Sequence, residues 1–188
     1  MRLRLIAAFA CTTLLASASL VPAYAQMGDM KMDHADSAKS MPSPPATAAV
    51  TLNGKAITIK YNAPSKRGRK IMGDLVPYGQ IWRTGANAAT TLITATPLSI
   101  GTLTVPAGTY TLYTLPTATD WKLVVNKQTG QWGTEYKESM DLGRTPLTGK
   151  TIPSQEKMSI SFENTKGNTT ELHIKWDTTD EFVKVTAK

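Results

Sequence analysis

Apolar and polar residues alternate at a period of two in short runs set roughly ten residues apart, and almost nowhere does a period of 3.6 take over. That pattern confines the chain to sheet architectures. Ala56 to Tyr61 sets Ile57, Ile59 and Tyr61 on one face against Thr58 and Lys60 on the other, which predicts a half-buried strand. Thr90 to Thr96 and Leu98 to Val105, rich in Thr, Ile, Leu and Val and divided by Pro97, predict two more. After the turn Pro106-Ala107-Gly108, the runs Thr109 to Leu115 and Trp121 to Asn126 form a hairpin. Lys157 to Glu163, Thr170 to Trp176 and Glu181 to Thr186 complete the set, with a turn at Asn164 to Asn168 between the first two. Glu135 to Lys150 shows no clean period and is expected to wander across one edge. The fold class is all-β, a single antiparallel β-sandwich of about eight short strands, with a closed β-barrel as the alternative.

The ends of the chain point to export. Met1-Arg2-Leu3-Arg4 is basic, Leu5 to Val21 is apolar, and Ala23-Tyr24-Ala25 has the small-x-small form of a cleavage site. Residues 1–25 therefore read as a signal peptide cut after Ala25, and a periplasmic or secreted location follows, with no integral membrane segment after cleavage. Cys11 is the only cysteine and leaves with it, so disulfide, thiolate and cysteine-metal chemistry are excluded from the mature chain. Residues 26–48, rich in Met, Ala, Ser and Pro, read as a disordered tether, because they bury too little to offset the entropy of ordering. Residues 49–188 remain for one domain. Removing Arg2 and Arg4 takes the 21 basic residues to 19 against 14 acidic ones, a mature charge near +5. An exported basic protein has anionic surfaces as its partners, an unidentified small molecule or a cell-envelope polysaccharide, and nucleic acid is excluded by compartment.

One long segment breaks the run of strands: Ser65 to Asn87, SKRGRKIMGDLVPYGQIWRTGAN, with five basic side chains, Tyr78, Trp82 and four glycines. Long irregular segments in compact β domains are usually functional. Only Lys70 to Val76 within it suggests a helical turn, ended by Pro77. Arg67 and Arg69, flanking Gly68, are spaced to fold round a carboxylate or phosphate, or else to serve as a solvated turn. Arg83 stands apart from the charge run. One reading has Arg83, Thr84 and Asn87 converging on a polar ligand. The other has Arg83 stacked on Trp82 or Tyr78 and hydrogen-bonded to loop carbonyls as a structural clamp.

The blocks Arg67-Gly68-Arg69-Lys70-Ile71, Leu75-Val76-Pro77-Tyr78-Gly79 and Trp82-Arg83-Thr84-Gly85-Ala86-Asn87 resemble the domain-of-unknown-function 2911 family of exported bacterial proteins. Pro106 to Leu112, Trp121, Asn126-Lys127 and Gln131-Trp132-Gly133 fit the same pattern. The resemblance runs from about Ala56 to Val185 and implies export and a β-rich domain, but no reaction.

Other candidates are fewer. Trp132, beside Gly133 on a polar loop, is a possible stacking platform for a glycan, whereas Trp176 follows Leu172 and Ile174 at period two and belongs to the core. A hydrolase reading rests on His173, expected to face solvent, and on the carboxylates Asp177 and Asp180. In the tether, Met27, Met30, Met32 and His34 have soft donors at a spacing that suits Cu(I), so copper binding is an alternative to a cofactor-free protein. The leading expectation is a non-catalytic β-sandwich that binds a polar or anionic ligand, glycan or phosphate-bearing, at Ser65 to Asn87, with Tyr78, Trp82, Arg83, Thr84, Asn87, Arg67, Arg69 and Trp132 as its contacts.

Overall fold

The computed structural model describes residues 42–188, so the leader expected at 1–25 and the copper candidates Met27, Met30, Met32 and His34 lie outside the described residues. Ten strands follow one another in the chain: β1 Pro45–Leu52, β2 Lys55–Asn62, β3 Thr90–Thr94, β4 Leu98–Ile100, β5 Leu103–Val105, β6 Gly108–Pro116, β7 Trp121–Asn126, β8 Asp141–Pro146, β9 Thr148–Lys166 and β10 Thr169–Ala187. They form two antiparallel sheets, one of six strands in the order β1-β2-β3-β6-β7-β8 and one of four in the order β5-β4-β10-β9. The fold is an open sandwich with no closed barrel.

The core lies between the inner faces. Ile57, Ile59, Leu92, Leu112 and Leu123 from the larger sheet meet Leu98, Met158, Leu172, Ile174 and Trp176 from the smaller. Each such side chain contributes about 1.5–3 kcal/mol by leaving water. Tyr61 reaches across this interior, and its hydroxyl accepts the Ile160 N–H at 3.0 Å, so a polar atom in the core is satisfied.

Several elements differ from expectation, each for a physical reason. β1 begins at Pro45 and takes in Pro45 to Ala48, which composition assigned to the tether. It pairs along its whole length with β2 through Asn53-Gly54, both at positive φ, the turn geometry whose twist matches paired strands. Glu135 to Lys150 holds a 3-10 turn, Glu138–Met140, and the edge strand β8. Lys70 to Val76 forms no helical turn. It is a tight loop closed by Val76 N–H to Ile71 O at 2.9 Å.

The last three predicted strands are two long ones. β9 and β10 stay paired past Asp177 because register shifts on either side of it absorb the polar run that breaks the alternation. Leu172, His173 and Ile174 are consecutively buried, so His173 does not face solvent as alternation predicts. Its outer face is covered by Phe182, whose ring stacks at 4.9 Å, and its ring nitrogens meet Asp180 at 2.9 Å and Glu171 at 3.3 Å.

Candidate functional site

The Ser65 to Asn87 segment leaves the end of β2 and returns at the start of β3, two neighbours in one sheet, but crosses to the other sheet on the way. Its first part docks on β9: Ser65 bridges Lys157, and the Lys66 N–H donates to Glu156 O at 2.7 Å. The Lys66 ammonium reaches Asp177 at 2.6 Å. That bond and the Ser154 hydroxyl hold the Asp177 carboxyl below the ordinary carboxylate range. Ile71 and Val76 then plug into the core. The last part runs along β6, where Trp82 and Thr114 exchange backbone hydrogen bonds at 2.8 and 2.9 Å. The Ala86 N–H closes the segment onto Asn62 O at 3.1 Å.

Pulled between two sheets, the segment walls a cleft of about 390 Å³, a volume typical of small-molecule sites. Arg69, Gln80, Trp82, Arg83 and Asn87 line it, with Pro64 and Trp176 completing the wall. Trp82 stacks on Trp176 with ring centroids 5.9 Å apart and meets Trp121 edge-on at 6.3 Å, so the aromatic side of the cleft is rigid.

Arg83 is the distinctive group. It is half-buried, its Nε is fully buried without a hydrogen-bond partner, and it forms no ion pair among the described residues. Among the described residues its guanidinium makes neither the cation–π contact nor the hydrogen bond to a loop carbonyl that the clamp geometry would require. Instead the side chain lies over the backbone of the loop after β7. A side chain at Gly133 would bring its Cβ within 2.0 Å of Arg83 Cδ and 2.7 Å of Asn87 O. The Gly133 N–H donates to Asn87 O at 3.0 Å, and Ala88 bridges Trp132. Thus the two sequence blocks around Arg83 and Trp132, some fifty residues apart, are joined in space.

The other expected contacts divide. Arg69 lines the cleft while donating to Lys66 O and Ser65 O, and Asn87 stands exposed at its mouth. Thr84 is fully buried and does not line it; its hydroxyl reaches Thr114 at 3.3 Å, and its carbonyl accepts from Thr90 at 2.9 Å. Those bonds hold a β-branched residue at φ 54°, a conformation costing about 1–3 kcal/mol and common beside ligand sites. Arg67 points away and donates to Pro42 O. Tyr78 turns over Gly73 and lines a different cleft. Trp132 is 53% exposed beside Asn87 but outside the cleft wall. Gln80, Pro64 and Trp176 were missed as lining residues, since only the path of the segment between sheets brings them together.

The hydrolase candidates are otherwise engaged. His173 Nδ1 lies 2.9 Å from Asp180 and its Nε2 3.3 Å from Glu171, and the ring is fully buried, so it presents no nitrogen at the surface to a substrate. Asp177 is bonded to Lys66. No cluster of three or more His, Cys, Asp or Glu suited to a metal occurs among the described residues.

A family model described as a protein of unknown function (DUF2911) matches residues 43–185, which takes in the cleft and both sheets. No curated protein and no solved structure matches the chain.

Proposed function

The chain belongs to the DUF2911 family, and we propose that it binds a small anionic ligand, bearing a carboxylate or phosphate, in the cleft walled by Ser65 to Asn87. The observation that carries this reading is the buried Arg83 Nε with no acceptor. An unpaired buried donor of a charged group costs about 1–3 kcal/mol or more, and a rotation of the side chain towards an oxyanion bound in the cleft would offset that cost with a charge-assisted bond. Arg69, Gln80 and Asn87 supply further donors, and the Trp82–Trp176 pair supplies an apolar wall on which a sugar ring could lie. The leader expected at residues 1–25 would deliver this domain to the cell envelope, where uronate- and phosphate-bearing polysaccharides are a source of such groups.

The test is calorimetric titration of the protein with glucuronate, glucose 6-phosphate, inorganic phosphate and glucose. The charged probes are expected to bind and glucose to fail. Arg83→Gln should weaken binding about tenfold or more, the worth of a charge-assisted hydrogen bond. Blank titrations with all the anions, together with a loss of thermal stability in Arg83→Gln, would make Arg83 a structural residue and end the proposal.

A further inference from the structure

A second cleft, of about 360 Å³, opens on the far side of the Trp82–Trp121 pair. Trp121 and Tyr78 form part of its wall, the turn after β6 contributes Thr117 and Thr119, and the bulged part of β10 contributes Thr178 and Thr179. At its base lies Glu181, only 7% exposed, with no hydrogen bond or ion pair among the described residues. Room for that carboxylate depends on Gly149, where a Cβ would sit 2.7 Å from Glu181 Oε1.

The neighbouring charges are accounted for. Asp180 is paired with His173 at 2.9 Å and with Lys150 at 3.2 Å, and Lys175 stands 3.8 Å away. Among the described residues of this region, Glu181 is the carboxylate that forms no ion pair, although Lys150 lines the same cleft. A buried group of that kind lowers stability unless something else uses it.

We propose that this cleft is a binding site for a neutral polyhydroxylated ligand, a saccharide or polyol, held by hydroxyl-to-carboxylate hydrogen bonds on Glu181. Threonine hydroxyls both donate and accept, which matches the mixed hydrogen bonding of a sugar edge. The Tyr78 ring, 44% exposed, offers a face for its apolar side. Charge selects against the alternatives. Lys150 at the wall disfavours a cation, and Glu181 beside Asp180 disfavours an anion. Burial, and then the Asp180 charge, push the Glu181 carboxyl up to about 7, so near neutrality it can donate to as well as accept from a hydroxyl. Lys150, Asp180 and Tyr78 are the titratable groups that line this cleft or border Glu181. The site does not rest on Arg83, which lines only the first cleft.

The test is amide NMR of the protein titrated with methyl glucoside, N-acetylglucosamine, myo-inositol and butylammonium. At least one neutral probe is expected to shift the amides of Thr117 to Thr119, Gly149 to Thr151 and Thr178 to Glu181, with butylammonium inert. In Glu181→Leu the affinity should fall about tenfold or more, and the thermal midpoint should rise at pH 8.5 but not at pH 4. Glu181→Met, which keeps the side-chain length without its hydrogen-bonding oxygens, replaces that variant should it misfold, with the same loss of affinity and the same pH signature. Silence of these amides towards every neutral probe, unchanged binding in the variants, or a response to butylammonium instead would each overturn the proposal.

Discussion

Among the described residues, Arg83 and Glu181 are charged side chains that the fold buries substantially without an ion-pair partner, and each lines a cleft. Other buried or part-buried ionisable groups are paired, as Lys66 and Asp177 show. That pair makes a quantitative check. Because the folded Asp177 carboxyl titrates below its ordinary value, its stabilisation is present above the unfolded pKa and is lost as pH falls through the folded one. Asp177→Asn is expected to cost about 1 kcal/mol at pH 7, the worth of a single part-buried pair at the edge of solvent, and nothing at pH 2 in chemical denaturation. A cost that persists in acid would mean that Asp177 acts through its positive-φ backbone and not through Lys66. His173 and Asp180 are different in kind, since both are fully buried. Asp180→Ala would strand the imidazole and is expected to cost about 3–5 kcal/mol, measured by urea unfolding.

Among the elements, legibility followed one-sided burial. β2 was readable because only one of its faces is covered, so Ile57, Ile59 and Tyr61 alternate cleanly with polar residues. β10 was not, because Phe182 and the hydrogen bonds of His173 to Asp180 and Glu171 bury its outer face and erase the alternation at Leu172-His173-Ile174. The polar run Asp177 to Asp180 looked like a turn, yet a bulged ladder carries it and aims Asp177 at Lys66. β1 had a local signal in Asn53-Gly54 that its proline- and alanine-rich start obscured. The segment that walls the first cleft was visible as a break in the pattern, whereas Pro64, Trp176 and Glu181 belong to sites only through contacts between distant strands. The loop after β7 is an element-scale dependency of the same kind. Gly133→Ala is expected to leave the strands intact but displace the Arg83 side chain, abolishing anion binding with little change in the far-ultraviolet spectrum. Retained binding in that variant would show that Arg83 does not need its seat over the loop.

At the scale of the whole molecule, the formal charge of +7 gives a general attraction for anions, so attraction alone does not identify a site. What separates the cleft from the general field is screening. Binding through exposed Arg67 or Lys70 would fade once salt brings the Debye length to about 8 Å, whereas a bond to a buried Nε is screened much less. Affinity for glucuronate or phosphate should therefore level off above physiological salt instead of falling to nothing. The most direct measurement is the Nε–Hε resonance of Arg83 in the protein titrated with those anions. With its buried Nε lacking an acceptor, the free protein should show that proton at an upfield, unbonded position. Saturating anion should move it downfield and slow its exchange while the Arg67 resonance stays in place. A resonance already downfield in the free protein, or one that no anion moves, would contradict the assignment of Arg83 as the anchor of this cleft.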